Sequence, residues 1–312
     1  MIAGLALSWG CGDSARGTVP AAVGSRPAGP AAVVVPVMVA VGDIACRPGL
    51  RRRGVPGQPR LGLGCHQGTI AALAGRLRPT AIAVLGDAQY DRGTGAEFAG
   101  SFARTWGGLR ARLHPAVGNH EYLTARASGY FSYFGAAAAP PNGYYSYDVG
   151  AWHVVVLNSN CAFVSCAPGS AQESWLRADL AAHPARCTLA YWHHPRFTSG
   201  FHGNDLTVAP LWNALYGAGA DLVLTGHDHD YERFAPQNSA GRRDPAHGMR
   251  EFVVGTGGKD LGPLRAVKPN SERRDNRNFG VLALTLRPGG YSWRFVPEPG
   301  GALHDAGSGS CH

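Results

Sequence analysis

Two histidines two residues apart, in Gly226-His227-Asp228-His229-Asp230-Tyr231-Glu232-Arg233, offer the first chemistry in the sequence. They follow Ala220-Asp221-Leu222-Val223-Leu224-Thr225, an apolar run that predicts a buried strand ending at a glycine turn. Imidazoles at this spacing point into one space only where the chain has left the sheet, so the turn offers two nitrogen ligands to a metal. A site needs more ligands than these, and the rest of the chain must supply them.

Further turns do so. The apolar run over 33–41 predicts a strand and ends in Gly42-Asp43; the strand over 81–85, after a helix over 68–77 stopped by Pro79, ends in Gly86-Asp87-Ala88-Gln89-Tyr90. A predicted helix over 95–113 leads through His114-Pro115-Ala116-Val117 into Gly118-Asn119-His120-Glu121. Strands over 143–149 and 151–158 and a helix over 170–182 precede a strand over 187–192, which runs into His193-His194-Pro195. A helix over 206–216 then leads to the 220–225 strand, and strands over 251–254, 280–286 and 290–296 follow, joined by loops such as Gly255-Thr256-Gly257-Gly258. Open α/β sheets gather ligands outside the carboxyl ends of their strands, so Asp43, Asp87, Tyr90, Asn119, His193, His227 and His229 should meet in one crevice. Such a mixture of carboxylate, imidazole and amide suits Fe, Mn or Zn better than Ca or Mg, and it exceeds what one ion needs.

The chain has 312 residues, 45% hydrophobic and 16% charged, enough to bury a sizeable core in one large α/β domain or two small ones. Its 29 Lys and Arg against 21 Asp and Glu give a net charge of +8, clustered at Arg51-Arg52-Arg53, Arg242-Arg243 and Arg273-Arg274 with Arg277. This balance fits an anionic substrate as well as a solvated, arginine-rich exterior. No aromatic-interleaved basic ribbon marks a nucleic-acid partner, and no repeat of fixed period marks a solenoid or propeller.

Ser8-Trp9-Gly10-Cys11 resembles a bacterial lipoprotein cleavage box, with Ser8 where Leu is usual and Leu7 one place further back. On this reading Cys11 carries a lipid anchor and residues 12–32, rich in Gly, Ala, Pro and Ser, are a flexible tether, so that 1–32 stands apart from the folded domain. No later run reaches the roughly eighteen apolar residues that a membrane span needs. Six cysteines remain: Cys46, Cys65, Cys161, Cys166, Cys187 and Cys311. An even set in loops predicts disulfides and export to the cell envelope or beyond. Sequence does not decide the pairing; the nearest-neighbour choices are Cys46 with Cys65 and Cys161 with Cys166, which leaves Cys187 with Cys311.

The blocks Gly42-Asp43, Gly86-Asp87-Ala88-Gln89-Tyr90, Gly118-Asn119-His120-Glu121, Trp192-His193-His194-Pro195 and Gly226-His227-Asp228-His229 resemble, in order, those of the calcineurin-like metallophosphoesterases. Tyr90, the Phe252–Gly258 segment and Tyr291-Ser292-Trp293-Arg294-Phe295-Val296 resemble the purple acid phosphatase branch in particular. The resemblance covers residues 33–298, with 299–312 left as a C-terminal tail. It implies an α/β fold, a four-layer αββα sandwich of two mixed β-sheets flanked by helices. It also implies two metal ions: Asp43, Asp87, Tyr90 and His229 hold the first, Asn119, His193 and His227 hold the second, and Asp87 bridges them. A phenolate ligand such as Tyr90 implies Fe(III) at the first site, with Fe, Zn or Mn at the second. Ala45 stands where most non-purple members carry His, and where many purple enzymes carry Gly.

Two cations about 3.5–4 Å apart clamp the oxygens of a phosphate ester and lower the pKa of a bound water, so that hydroxide attacks phosphorus in line. The resemblance therefore implies hydrolysis of a small phosphate monoester. His120 is placed to bind substrate and stabilise transition-state charge, and His202 to bind it and give the leaving alcohol a proton. His194, where the family usually has a small residue, is a further substrate-binding candidate. Two alternatives stay open: a phosphodiesterase or nucleotidase whose rim loops at 47–64, 196–205 and 236–250 admit other esters, and a non-catalytic exported metal-binding protein. The oligomeric state is not encoded in any of these features.

Overall fold

Valine, alanine and leucine dominate β1 (Val37–Val41) and β2 (Ala81–Leu85), which leaves both faces of these strands apolar and requires cover on each side. The computed structural model, which describes residues 35–49 and 65–312 together with Gly10 and Gly12, provides that cover. The lipid-anchor reading of Cys11, the remainder of the 1–32 tether and the Arg51-Arg52-Arg53 cluster lie outside the described residues.

β1, β2 and β3 (Leu113–Ala116) run parallel, and β11 (Gly280–Arg287), β12 (Gly290–Pro297) and β13 (Ala306–Ser310) extend the sheet antiparallel from β1, in the order β13-β12-β11-β1-β2-β3. The second sheet has β5 (Trp152–Val156), β6 (Cys187–Tyr191), β7 (Leu222–Thr225) and β9 (Arg250–Val254) in parallel. It is edged by β4 (Tyr145–Val149) on one side and by β8 (Tyr231–Phe234) and β10 (Ser271–Asp275) on the other. Residues of one parity, such as Met38, Ala83, Val154, Leu189 and Phe252, fill the space between the sheets. Those of the other parity meet helices: α1 (Gln67–Arg76), α3 (Ala103–Trp106) and α4 (Ser128–Phe134) on the first sheet, α5 (Ala171–Ala182) and α6 (Ala209–Gly217) on the second. The result is the expected α/β arrangement of two mixed sheets between helices.

Three expectations change. The helix over 95–113 is broken into a turn of α-helix at Gly95–Glu97, a π segment at Phe98–Phe102, α3 and a 3-10 stretch at Gly107–Arg112. Buried Phe98, Phe102 and Trp106 fix this path by packing on the sheet and on Tyr133 and Phe134. β8 and β10 go beyond the sequence reading; β10, Ser-Glu-Arg-Arg-Asp, has no apolar alternation to announce it. The stretch read as a tail, 299–312, is part of the fold: β13 pairs with β12, and Cys311 bonds Cys187 at the start of β6. Its Gly-Ser composition answers a packing demand, since a Cβ on Gly307 would lie 2.3 Å from the Trp293 ring and one on Gly309 2.6 Å from that of Tyr291. The other disulfides join Cys46 to Cys65 and Cys161 to Cys166, as the nearest-neighbour pairing expects.

The two sheets are joined at their carboxyl edges by main-chain hydrogen bonds and by one imidazole. The Gly42 N–H donates to Val254 O at 2.9 Å, the Gly257 N–H to Gly42 O at 2.9 Å, and His193 Nδ1–H to Leu85 O at 2.8 Å. Side chains at the ends of β1, β2, β3, β6 and β7 are thereby brought within reach of one another.

Candidate metal centre

Asp43, Asp87 and His227 leave their strands with φ of 61°, 45° and 70°. Non-glycine residues seldom adopt this left-handed conformation, and three where the carboxyl edges of the two sheets meet mark strain held by the surrounding structure. The turn turns each side chain off the sheet. Room is tight: a Cβ on Gly118 would lie 2.1 Å from Asp87 Oδ1, so the chain entering Asn119 passes where only glycine fits.

The side chains fall into two groups. In the first, Tyr90 Oη–H donates to Asp43 Oδ1 at 2.8 Å, His229 Nε2 lies 3.0 Å from Tyr90 Oη, and the same nitrogen lies 3.3 Å from Asp43 Oδ1. In the second, His193 Nε2 lies 2.9 Å from Asn119 Oδ1 and 3.3 Å from His227 Nδ1. Asp87 stands between them: its Oδ2 is 3.4 Å from His193 Nε2, and ligand atoms of Asp43, Asp87 and His193 all lie within 4.8 Å of one another. Donor atoms arranged around one ion at roughly 2.1 Å are themselves roughly 3 Å apart, so each group has the spacing of a coordination shell.

The electrostatics fit cations. Burial disfavours charge on Asp87, but the His193 and His120 rings outweigh it and hold the carboxyl far below the usual range. Conversely burial opposes charge on His193 and His229, yet Asp87 lifts the first to about 9, and Asp43 with Asp260 lifts the second to about 10. Burial and the carboxylates of Asp43 and Asp87 push the Tyr90 phenol upward. Buried carboxylates here draw positive charge onto the imidazoles; ions at the same positions would satisfy the carboxylates directly and would take neutral nitrogens as ligands. His227, pushed well down by burial and by His193 and His194, is already neutral.

The three further histidines have distinct surroundings. His120 takes a partly exposed place over the Tyr90 ring, 4.3 Å between centroids; its backbone N–H donates to Asp87 Oδ1 at 2.9 Å and its Nδ1 is 2.6 Å from Asp91 O. His202 is half-exposed, lies against His227 at 4.2 Å, and is held by Asp228 Oδ1, 3.0 Å from its Nδ1. His194 packs against His193 and His227, with a ring nitrogen within 4.8 Å of theirs and its Nδ1 2.8 Å from Ser159 Oγ; burial and His193 press it down to about 3, which keeps it neutral.

Sequence reasoning missed several supports. Asp260 contacts His229 Nδ1 and, through its other oxygen, Lys259 Nζ at 3.1 Å. Its loop follows β9, another parallel strand ending at the same edge, so the strand-end rule could have flagged it. Ser159 accepts the backbone N–H groups of His193 and His194. Asp228, on the turn between the paired histidines, orients His202 and accepts from Thr198 Oγ1 at 2.7 Å.

Residues 38–231 match the calcineurin-like phosphoesterase family. Among curated relatives, purple acid phosphatase 18 of Arabidopsis thaliana is 35% identical over 42% of this chain and 30% of its own length. Purple acid phosphatase 15 of the same plant is 28% identical over 70% of this chain and 47% of its length, so the chain spans less than half of either relative. Purple acid phosphatase PPD1 from yellow lupin seeds superposes over 89% of this chain and 54% of its own with a TM-score of 0.74 at 17% identity, a likeness of fold. With the family match running over more than half of its residues, the chain belongs to the calcineurin-like phosphoesterases, whose members imply a dinuclear metal centre, and its domain is similar to those of the purple acid phosphatases.

Proposed function

We propose that the protein hydrolyses phosphate monoesters at a dinuclear centre in which Asp43, Tyr90, His229 and Asp87 hold one ion and Asn119, His193, His227 and Asp87 the other. The observation that carries this reading is the pair of donor groups with a shared, buried carboxylate between them. When bound, two such ions neutralise phosphoryl oxygens and acidify a water for attack on phosphorus. The chain's own residues set the rest. Leu85 O takes the Nδ1 proton of His193 and aims Nε2 inward, as Asp260 does for His229. His120, its Nδ1 fixed by Asp91 O and its Nε2 3.9 Å from Asp87 Oδ2, would offer Nε2 to a phosphoryl group bound there. His202, oriented through Nδ1 by Asp228, holds its other nitrogen free to carry a proton to the leaving alcohol. His194 is too well buried and too weakly basic for that task and instead packs against His193 and His227.

Tyr90 supports Fe(III) at the first position, with Fe, Zn or Mn at the second, and the three disulfides support export. Purified protein should show a broad visible band lost in Tyr90→Phe and should turn over p-nitrophenyl phosphate faster than its bis-ester. Turnover of the diester alone would overturn the monoester assignment, and an active, iron-free, colourless enzyme would overturn the iron.

Asp260→Ala removes the acceptor that orients His229 while leaving every direct donor in place. The ion bound by Asp43, Tyr90 and His229 should weaken by about 10–100-fold, read by metal content after dialysis against a graded chelator, with the other ion retained. Equal loss of both ions would contradict the division of ligands.

A further inference from the structure

We propose that the face carrying the metal centre is a docking surface for an anionic lipid bilayer, anchored by Leu123 and Phe163 on one flank of the centre and by Phe201, Leu206 and Val267 on the other. This surface does not depend on which ester the centre hydrolyses. Among the described residues six large apolar side chains are exposed, and their distribution is one-sided. Val35 alone lies at the amino edge, ahead of β1. The other five lie in loops that leave the carboxyl ends of strands: Leu123 after β3, Phe163 after β5, Phe201 and Leu206 after β6, and Val267 after β9. That is the edge at which the candidate ligands meet.

Contacts tie both flanks to the centre. Phe163 stacks on Tyr122 at 4.3 Å, and the N–H groups of Tyr122 and Leu123 donate to Asn119 O and His120 O, each at 3.2 Å. Phe201 meets the His202 ring edge-on at 5.3 Å. Val267 lies between Arg265 and Lys268, whose N–H groups donate to Ser199 O at 2.7 Å and Ser199 Oγ at 2.9 Å, and the N–H before Leu206 donates to Pro195 O at 2.9 Å. At 48–67% exposure these side chains are outward tips, not pocket walls. Apolar side chains scattered singly over a surface need no partner; five gathered round one cleft mark an interaction site.

Cations stand among the tips. The Arg265 guanidinium lies 4.4 Å over the Phe201 ring, Lys268 follows Val267, Arg92 Nη2–H donates to Leu123 O at 2.8 Å, and Arg126 is exposed three residues beyond Leu123. Among the described residues none of these four forms an ion pair. Acids of the same loops are engaged elsewhere: Asp91 faces Arg47 at 3.8 Å, Asp260 faces Lys259 at 3.1 Å, and Asp205 accepts the N–H and hydroxyl of Thr207. A protein partner meets a contiguous, closely packed apolar centre. Separate apolar tips with unpaired Arg and Lys between them suit a fluid interface instead, where each tip enters the acyl boundary on its own and each cation meets a phosphate headgroup. No described helix is long and apolar enough to cross a membrane, so the contact is made at the surface.

The test is co-sedimentation of the full chain, carrying Cys11→Ser to remove any acyl anchor, with vesicles of phosphatidylcholine alone or mixed with phosphatidylglycerol. The same chain with Phe163→Ser, Val267→Ser or both is run beside it; these positions lie on opposite flanks and are 62% and 57% exposed, so their loss leaves the fold standing. The parent should bind the mixed vesicles, and each serine should weaken that binding by about tenfold. Tm and kcat/KM on p-nitrophenyl phosphate should be unchanged. Binding to neither vesicle would overturn the surface, and so would equal binding with and without the serines, which would leave only attraction by the net charge of +8. A parent that is dimeric without lipid, and monomeric once the serines are present, would assign the face to a second copy and overturn it too. A chain that binds vesicles through these residues but hydrolyses no ester would sink the phosphatase reading and leave the surface standing.

Discussion

Asp87→Asn should leave the fold intact and lower kcat/KM for a phosphate monoester by on the order of a thousandfold. Asn keeps an oxygen for the His120 N–H and tolerates the left-handed backbone that Asp87 adopts at φ 45°. On the proposed ligand assignment, what it removes is the negative charge that two cations would share. That charge lies within reach of both donor groups, and the surrounding imidazoles hold it ionised against its burial. Two-metal stabilisation of a phosphoryl transition state supplies several kcal/mol, and a loss of about 4 kcal/mol is roughly a thousandfold in rate. Metal content should fall at both positions, whereas Tm measured after exhaustive chelation should match that of the chelated wild type. An Asp87→Asn enzyme within tenfold of the wild type and holding two ions would mean that this carboxylate does not bridge.

The donor set was legible in the sequence because one topological rule governs it. Ligands gather beyond the carboxyl ends of parallel strands; β1, β2, β3 and β7 announce their ends with glycine followed by Asp, Asn or His, and β6 runs directly into His193-His194-Pro195. Apolar runs such as Ala-Ile-Ala-Val-Leu also revealed their burial on both faces. Legibility failed where tertiary packing overrode local pattern. Ala306–Ser310 has the composition of a linker, yet Trp293 and Tyr291 leave only glycine-sized space above them, so small residues are what a strand there requires. Gly95–Arg112 looks like one helix, and three large aromatics on the first sheet bend it into several pieces. The supporting carboxylates are the hardest to read. Asp260 and Asp228 are ordinary loop acids until the fold brings His229 and His202 against them.

Glu121 illustrates that last difficulty and gives the second large effect: Glu121→Ala should destabilise the protein by about 3 kcal/mol or more and disorganise both ion positions together. In sequence Glu121 is one more acid beside His120. In the structure it is fully buried and touches no candidate ligand side chain by hydrogen bond; it collects backbone N–H groups, from Asp87 and Gly118 on Oε2 at 3.1 and 2.8 Å and from Gln89 on Oε1 at 3.1 Å. These donors belong to the turns after β2 and β3, which carry Asp87, Tyr90 and Asn119, so one side chain sets the separation of the two turns. Removing it strands three buried donors, each costing about 1–3 kcal/mol if water cannot replace the acceptor. At roughly 2–4 °C per kcal/mol, Tm should fall by about 6 °C or more. Glu121→Gln should fall between Ala and wild type, because its carbonyl oxygen retains the Asp87 and Gly118 N–H groups while its amide N–H₂ meets the Gln89 donor. Both variants should lose the two ions in parallel, unlike Asp260→Ala. A Glu121→Ala protein with wild-type Tm and full metal content would show that the two turns keep their spacing without this clamp.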